Sequence, residues 1–486
     1  MLIFAKKRSK GAYARWKNRV DEKGATPMTL SEDKQKRLPV LWHLTWPAII
    51  EQLLGMMVSF VDTAMVGAMG AASTAAVSVV SSSIWLINGI LSGVGVGYSV
   101  QVANAVGAQD HPRARRVMRQ GALAVAALGI LVLAVMELLA SFLPSWLGAE
   151  PEVYPLAVSY LRFYALGLPF STVMAVFSAI IRCTGDTRTP LALNSLANVV
   201  NVVLNFLLIY PTRQWHGIIL PGVGLGVAGA AIASAASLAM AGCLLLRKVF
   251  FNKEKPVSLG PEENYRPDGD IIRTALRLGV PYIGERVTIN LGQILMTTLV
   301  AHVGTVALAA NHIATTAEGM CYLPAYGVSF AATALVGQAV GARDREDARA
   351  YGRLSGLLGF GMCLATASIL FLFASPIAGL FTNEGEVIAE TAKVLRIVAF
   401  AEPFFAISIV MSGALRGARD VRYPMVVALG CMWGIRAILA PVLIYVFHWG
   451  LEAVWFAMAL DLTSRGILTA LRWRSGRWEK TADLTE

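Results

Sequence analysis

Asp62 sits inside an apolar run, flanked by Phe60, Val61, Ala64 and Met65. Ionisable groups at lipid depth are costly and usually serve ion pathways or proton relays. Protonated, such a carboxyl carries a proton; ionised, it holds a cation. A second run carries Asn194, Asn198, Asn201 and Asn205, spaced 4, 3 and 4 residues apart, so all four share one helix face. Buried amides also glue helices together. Asp62 lies fifteen residues beyond Pro47 and Asn205 fifteen beyond Pro190, which puts both about 22 Å along their helices. One acid and two amides at one level suit a proton or a small cation held through oxygens. Asp62, Asn201 and Asn205 are the candidate site, with Asn198 and, more weakly, Ser234 beside them.

These residues need a frame, and composition supplies it. Of 486 residues 56% are hydrophobic and 15% charged, with a mean hydropathy of +0.59. A soluble domain carries about 25% charge. Long unbroken apolar runs exclude the alternating pattern of a β-barrel and point to helical spans. Twelve segments are long enough to cross a bilayer: roughly 44–67, 76–106, 120–143, 156–181, 190–210, 222–246, 278–301, 310–340, 352–374, 390–415, 424–447 and 451–471, numbered spans 1 to 12.

The net charge is +11, but the basic residues gather in alternate connectors. Arg113, Arg115, Arg116 and Arg119 lie in one, Arg343, Arg345 and Arg349 in another, whereas Leu143–Pro155 carries Glu150 and Glu152. This asymmetry is an orientation signal rather than a nucleic-acid footprint, and it predicts cytoplasmic termini. Residues 1–40, with eleven Lys/Arg, read as a basic cytoplasmic tail; residues 473–486 form its C-terminal counterpart.

Shifted by 234 residues, the sequence matches itself. Pro47 falls on Pro281, Glu51 on Glu285 and Gly70 on Gly304. Val102–Asp110 (VANAVGAQD) falls on Val336–Asp344 (VGQAVGARD), and Arg182, Asp186, Arg188 and Pro190 fall on Arg416, Asp420, Arg422 and Pro424. The fold expected is therefore an all-α polytopic membrane protein of two six-helix bundles. A pseudo-two-fold axis along the membrane normal relates them. The bundles span residues 41–250 and 273–472, joined by a cytoplasmic linker at 251–272. In the second half Asp62 is replaced by Met296, and the four Asn by Ala428, Met432, Ile435 and Leu439, so the polar site belongs to the first half alone. Two facing bundles predict alternating access around a central cavity. Met57, Met65, Met174 and Met296 would give that cavity a soft surface, and Glu318 and Glu402 a negative charge suited to lipophilic cations. Arg436 and Asp461 are expected to pair between spans 11 and 12.

The six histidines form no H-E-x-x-H, and neither a P-loop nor a G-x-S-x-G elbow is present, so no enzymatic activity and no cofactor are expected.

The chain resembles the multidrug and toxic compound extrusion (MATE) family over roughly residues 40–475. The resemblance rests on the paired A-V-G-A segments at Ala105–Ala108 and Ala339–Ala342, on Val61–Gly67 (VDTAMVG), and on Arg182–Pro190 (RCTGDTRTP) with its copy Arg416–Pro424 (RGARDVRYP). Within the family it is most similar to the DNA-damage-inducible F branch. The resemblance implies a monomer in the bacterial inner membrane. It would export cationic or amphipathic drugs in exchange for H⁺, with Na⁺ the second choice at Asp62, Asn201 and Asn205. It also implies that Asp62 is the coupling acid, that Asn201 and Asn205 are its span 5 partners, that Ser234 is the span 6 hydroxyl, and that span 1 moves about Pro47. Other branches use acids in spans 7 and 10, where this chain has Arg286–Asn290 (RVTIN) and Phe404–Gly413 (FFAISIVMSG). A lipid-linked precursor flippase of the same superfamily is the alternative; it calls for a cationic cavity. A membrane enzyme or passive channel fits less well.

Overall fold

A computed structural model describes residues 37–215, 218–251, 259 and 265–484. Among them nine helices are long and apolar enough to cross a membrane, and two bent pairs bring the count to eleven. The twelfth is span 7, Gly269–Val303, whose 35 residues are interrupted by Arg273, Arg277, Glu285 and Arg286. The twelve-helix, two-half expectation holds.

The repeat is visible in backbone detail. Gly70 and Gly304 turn span 1 into span 2 and span 7 into span 8 at φ of 113° and 144°, values that glycine adopts readily. Gln109 and Arg343 both take φ of 57° after spans 2 and 8. Asp110 and Asp344 follow and cap the next helix, their side chains accepting from Arg113 N (3.0 Å) and Asp347 N (2.8 Å). Span 4 is Tyr154–Ala165 and Leu168–Cys183 bent by 51°; span 10 is Gly385–Ala399 and Glu402–Gly417 bent by 53°. Each second segment carries a proline in its first turn, Pro169 and Pro403, which lacks the amide needed to continue the helix.

Other features break the symmetry. After span 5 (Arg188–Ile209) the chain forms a hairpin, β1 (Pro211–Trp215) antiparallel to β2 (Ile218–Val223), so span 6 begins at Val227 rather than near 222. Span 11 contains a π-helical turn, Met432–Arg436.

The tail and linker boundaries also shift. Span 1 is helical from Arg37, and Arg37 pairs with Asp347 at 2.5 Å. The rest of the expected 1–40 tail lies outside the described residues, as does most of the 251–272 linker, whose last residues already belong to span 7. The C-terminal residues dock as the helix Trp478–Thr481: Trp478 is buried and stacks on Trp473 at 4.3 Å, and Glu479 bridges Arg345 (2.6 Å) and Arg349 (2.5 Å).

Packing places the core unevenly along the molecule. At the end carrying the basic connectors one core joins both halves, with Leu41, Leu44, Ala103 and Cys183 among Leu335, Ala339 and Leu415. At the opposite end the halves keep separate cores, one around Val66, Val80 and Leu161, the other around Val300, Leu395 and Trp455. The shared core is sealed where spans 2 and 8 cross on glycine. A Cβ on Gly107 would meet the Gln338 carbonyl oxygen at 1.9 Å, and one on Gly341 would meet that of Asn104 at 1.9 Å.

Candidate functional site

A cavity of about 510 Å³ opens inside the first half, walled by spans 1, 2, 4, 5 and 6. Asp62, Asn198, Asn201, Asn205 and Ser234 all line it. The 4-3-4 spacing of span 5 and the single acid of span 1 thus converge in space.

The contacts form a chain. Asn205 Nδ2 donates to Asp62 Oδ1 at 2.6 Å and to Asn201 Oδ1 at 3.2 Å. Asn201 bridges onward to Ser234 Oγ at 3.2 Å. Its amide has two orientations with different consequences. With Oδ1 toward Asp62, Nδ2 donates to Ser234, and the carboxyl must itself carry a proton to make a bond there. Turned over, Nδ2 donates to Asp62 Oδ1 at 2.8 Å and Oδ2 at 3.3 Å, while Oδ1 accepts from Ser234 Oγ. The second arrangement suits a carboxylate, so the Asn201 amide can follow the charge on Asp62. Asn205 Oδ1 is buried without a hydrogen-bond partner. An orphan acceptor beside a carboxyl is what a bound cation or donor would satisfy. The oxygens able to hold a cation are those of Asp62, Asn205 and Ser234, joined by Asn201 in its first orientation.

Asn198 lines the cavity outside this chain of bonds. Asn194, the fourth member of the face, also lines the cavity, but its Nδ2 donates to Glu51 Oε1 at 2.7 Å, beside the Arg182–Glu51 pair at 2.9 Å. Sequence reasoning missed Asn88, Trp85, Tyr160 and Tyr164, which complete the wall. Tyr160 and Tyr164 stack with ring centroids 5.9 Å apart. Their i, i+4 spacing was the available signal.

The readings of Met174, Met296, Glu318 and Glu402 as cavity residues are corrected. Met174 and Met296 are buried in the helix cores of their own halves, 6% and 4% exposed. Met65 packs against the separate core of the first half, and Met57 is exposed on span 1. Glu318 and Glu402 are buried inside the second half, away from the cavity. For the methionines the reason is that an apolar helix in lipid carries such side chains on every face, so residue type alone does not select the lining. Arg436 does pair with Asp461, at 2.8 Å, and Asp461 also binds Arg465 at 2.6 Å.

Comparison with known proteins agrees with the repeat. The MatE family model matches twice, at residues 47–207 and 281–442, the two starts being 234 residues apart. A probable multidrug resistance protein NorM of Thermotoga maritima is 28% identical over 445 residues, covering 92% of this chain and 94% of that protein. The uncharacterised transporter YisQ of Bacillus subtilis is 27% identical over 439 residues, covering 90% and 94%. A solved outward-facing conformation of a multidrug resistance MATE family transporter superposes with a TM-score of 0.85 at 21% identity, covering 94% of this chain and all of that one. Members of this family are transporters, not enzymes. The chain belongs to the MatE family of multi-pass membrane transporters, the multidrug and toxic compound extrusion (MATE) family.

Proposed function

We propose that this transporter exports cationic and amphipathic compounds in exchange for H⁺, with Asp62 as the proton carrier. The observation that carries this reading is the bonded chain Asp62–Asn205–Asn201–Ser234 on the cavity wall. One carboxyl among amides and a hydroxyl makes a proton site more readily than a tight Na⁺ site, which favours several anionic oxygens. The chain's own pattern, an acid in span 1 with amides in span 5, is the basis for placing it in the DNA-damage-inducible F branch. Both termini lie in the cytoplasm of a bacterial cell in this reading, and the shared core is the cytoplasmic seal.

The cycle follows from the contacts. With the cavity open outward, Asp62 takes a proton and the drug leaves. A protonated Asp62 no longer accepts from Asn205 and Asn201 as a carboxylate does, so span 1 loosens from span 5. Span 1 is anchored just past Pro47, where Ile49 packs against Gly327 so closely that a Cβ there would meet its backbone nitrogen at 2.7 Å. Pro47 leaves the His43 carbonyl without a helix partner, which makes this the natural pivot. The bundles then rock inward, the proton leaves, and drug binds from the cytoplasm or the inner leaflet.

Proteoliposomes loaded with a fluorescent lipophilic cation test this under separate pH and Na⁺ gradients. Export driven by ΔpH and lost in Asp62→Asn is the expected result. Drive by Na⁺ alone reverses the ion assignment. No gradient-driven movement of any cation by folded protein turns the reading toward a flippase.

A further inference from the structure

Spans 1 and 5 are joined twice by the same kind of bond. Asn205 Nδ2 donates to Asp62 Oδ1 at 2.6 Å, and Asn194 Nδ2 donates to Glu51 Oε1 at 2.7 Å. Each acid of span 1 meets an amide of span 5, and on both helices the two rungs are eleven residues apart. Eleven residues make just over three turns and about 16 Å, so both rungs lie on one face of each helix. They differ in what else the acid binds. Asp62 accepts from amides alone. Glu51 also binds Arg182, whose Nη1 lies 2.9 and 3.1 Å from its two oxygens. The Asp62 rung changes with the charge on Asp62. The Glu51 rung, an ion pair, stays closed whether or not Asp62 holds a proton.

Arg182 carries the Glu51 rung to the other half. Its guanidinium lies over the ring of Phe330 in span 8, 4.7 Å from the centroid. Span 1 is divided in the same way. Before the Glu51 rung it is held by the second half, where Arg37 pairs with Asp347 and Ile49 packs on Gly327. From Glu51 on, its acids are held by spans 4 and 5 of the first half.

The repeat fold packs without these bonds. In the second half Ala428 and Leu439 stand in place of Asn194 and Asn205, so neither rung exists there. Glu285 and Arg416, the copies of Glu51 and Arg182, form no ion pair with one another among the described residues. Arg416 Nε donates instead to the Ser412 carbonyl at 2.9 Å, and its guanidinium lies over Tyr282 of its own half at 4.9 Å. The rungs and the contact across the halves therefore accompany Asp62, not the fold.

We infer that Glu51 and Arg182 are a positioning pair for the export cycle: they fix span 1 to spans 4 and 5 and, through Phe330, pass the release of Asp62 to the second half. The inference rests on the export reading and assigns its mechanical link. With the Glu51 rung closed, loosening at Asp62 moves span 1 only beyond Glu51. Rocking of the halves moves Phe330 against Arg182, so both events act on one guanidinium.

Export from proteoliposomes is measured against drug concentration under the gradient that drives wild type. Melting temperature and equilibrium drug binding by fluorescence polarisation are followed beside it. Glu51→Gln is expected to lower the maximal rate about tenfold, the loss of one charge-assisted hydrogen bond. Glu51, Arg182 and Phe330 do not line the cavity, so the half-saturating concentration and the binding constant stay within about twofold. Exchanging the pair, Glu51→Arg with Arg182→Glu, is expected to restore the rate to within about threefold of wild type, since the Asn194 amide can turn its carbonyl to the guanidinium. A charge stranded at this depth can prevent folding, so a second comparison keeps both charges. Arg182→Lys retains the ion pair and gives up the planar stack on Phe330. Phe330→Leu is expected to slow wild type about threefold and to add almost nothing in Arg182→Lys. Glu51→Gln at the wild-type rate, a folded exchange no faster than Glu51→Gln, or an equal effect of Phe330→Leu in both backgrounds overturns the inference. So does a loss of drug binding that matches the loss of rate. Wild type that no gradient drives fails the export reading and this inference together. Wild type driven by ΔpH with unaffected variants fails this inference alone.

Discussion

Asn104 and Gln338, repeat partners 234 residues apart, each clasp the opposite half: Asn104 Nδ2 donates to the Gly337 carbonyl at 2.8 Å, and Gln338 Nε2 donates to the Cys183 carbonyl at 2.8 Å. Arg419 adds a bond to Asn104 Oδ1 at 2.5 Å. These amides sit where the two halves share one core, so they join the bundles at one end only. Alternating access requires this seal to part.

The seal depends on glycine. Gly341→Ala places a Cβ 1.9 Å from the Asn104 carbonyl oxygen, and the neighbour is backbone, so spans 2 and 8 must separate. Overpacking of this kind costs about 1–3 kcal/mol. We expect a population open at the basic-connector end. Spin labels at Arg115→Cys and Arg353→Cys check it: a longer distance in Gly341→Ala than in wild type is the expected outcome. An unchanged distance distribution removes the seal from the cycle.

The docked C-terminus predicts a stability effect without a site effect. Glu479 is 1% exposed, and both its carboxylate oxygens bind arginine. Glu479→Gln loses charge-assisted bonds worth about 1.5–3 kcal/mol each before solvent screening of the half-exposed Arg345 and Arg349. A fall in melting temperature with export unchanged per folded molecule is expected. A loss of export at full stability gives this tail a role in the cycle.

Asp461 holds a buried charge group together. It is fully buried between Arg436 on span 11 and Arg465 one turn along span 12. Asp461→Asn leaves two guanidinium groups without their carboxylate, a loss of about 3–5 kcal/mol. Poor yield or early unfolding by thermal melt is expected, with Asp461→Glu retaining more of the fold. The π-helical turn ends at Arg436 and so presents this side chain to span 12.

The polar residues of spans 1, 5 and 6 were easier to place than the apolar ones, and the reason is physical. A buried acid or amide must find a partner, so Asp62, Asn201, Asn205 and Ser234 announced both their depth and their face. The 234-residue repeat survives in Pro, Glu, Asp and Arg for the same reason: each serves a turn, cap or pair. Met174 and Met296 carried no such direction, because lipid and helix core are both apolar. The bends at Gly167 and Ala401 were hidden inside continuous apolar runs. The β1–β2 hairpin was not expected: residues 211–221 read as a connector, and only the end of β2 falls in the apolar run of span 6. The docking of Trp478 was equally hidden, because a short polar tail gives no pattern.

The choice of coupling ion turns on Asn205, whose Nδ2 lies 2.6 Å from Asp62 Oδ1. Asn205→Asp sets a second carboxyl at that distance. Two bare carboxylates so close repel, and the pair is relieved either by sharing a proton or by holding a cation between them. The remaining oxygens of Asn201 and Ser234 would complete a hard-ligand shell for Na⁺. We therefore expect Asn205→Asp to add a Na⁺-driven component to export that wild type lacks, with ΔpH drive retained. Asn205→Leu should weaken ΔpH-driven export roughly tenfold, since the carboxylate loses its closest donor. Export rates under each gradient alone, in proteoliposomes of equal protein content, decide it. Na⁺ drive equal in wild type and Asn205→Asp means the site already holds Na⁺ with one carboxylate. Full export in Asn205→Leu means that the Asp62–Asn205 bond is packing between spans 1 and 5, and that the proton leaves Asp62 by another route.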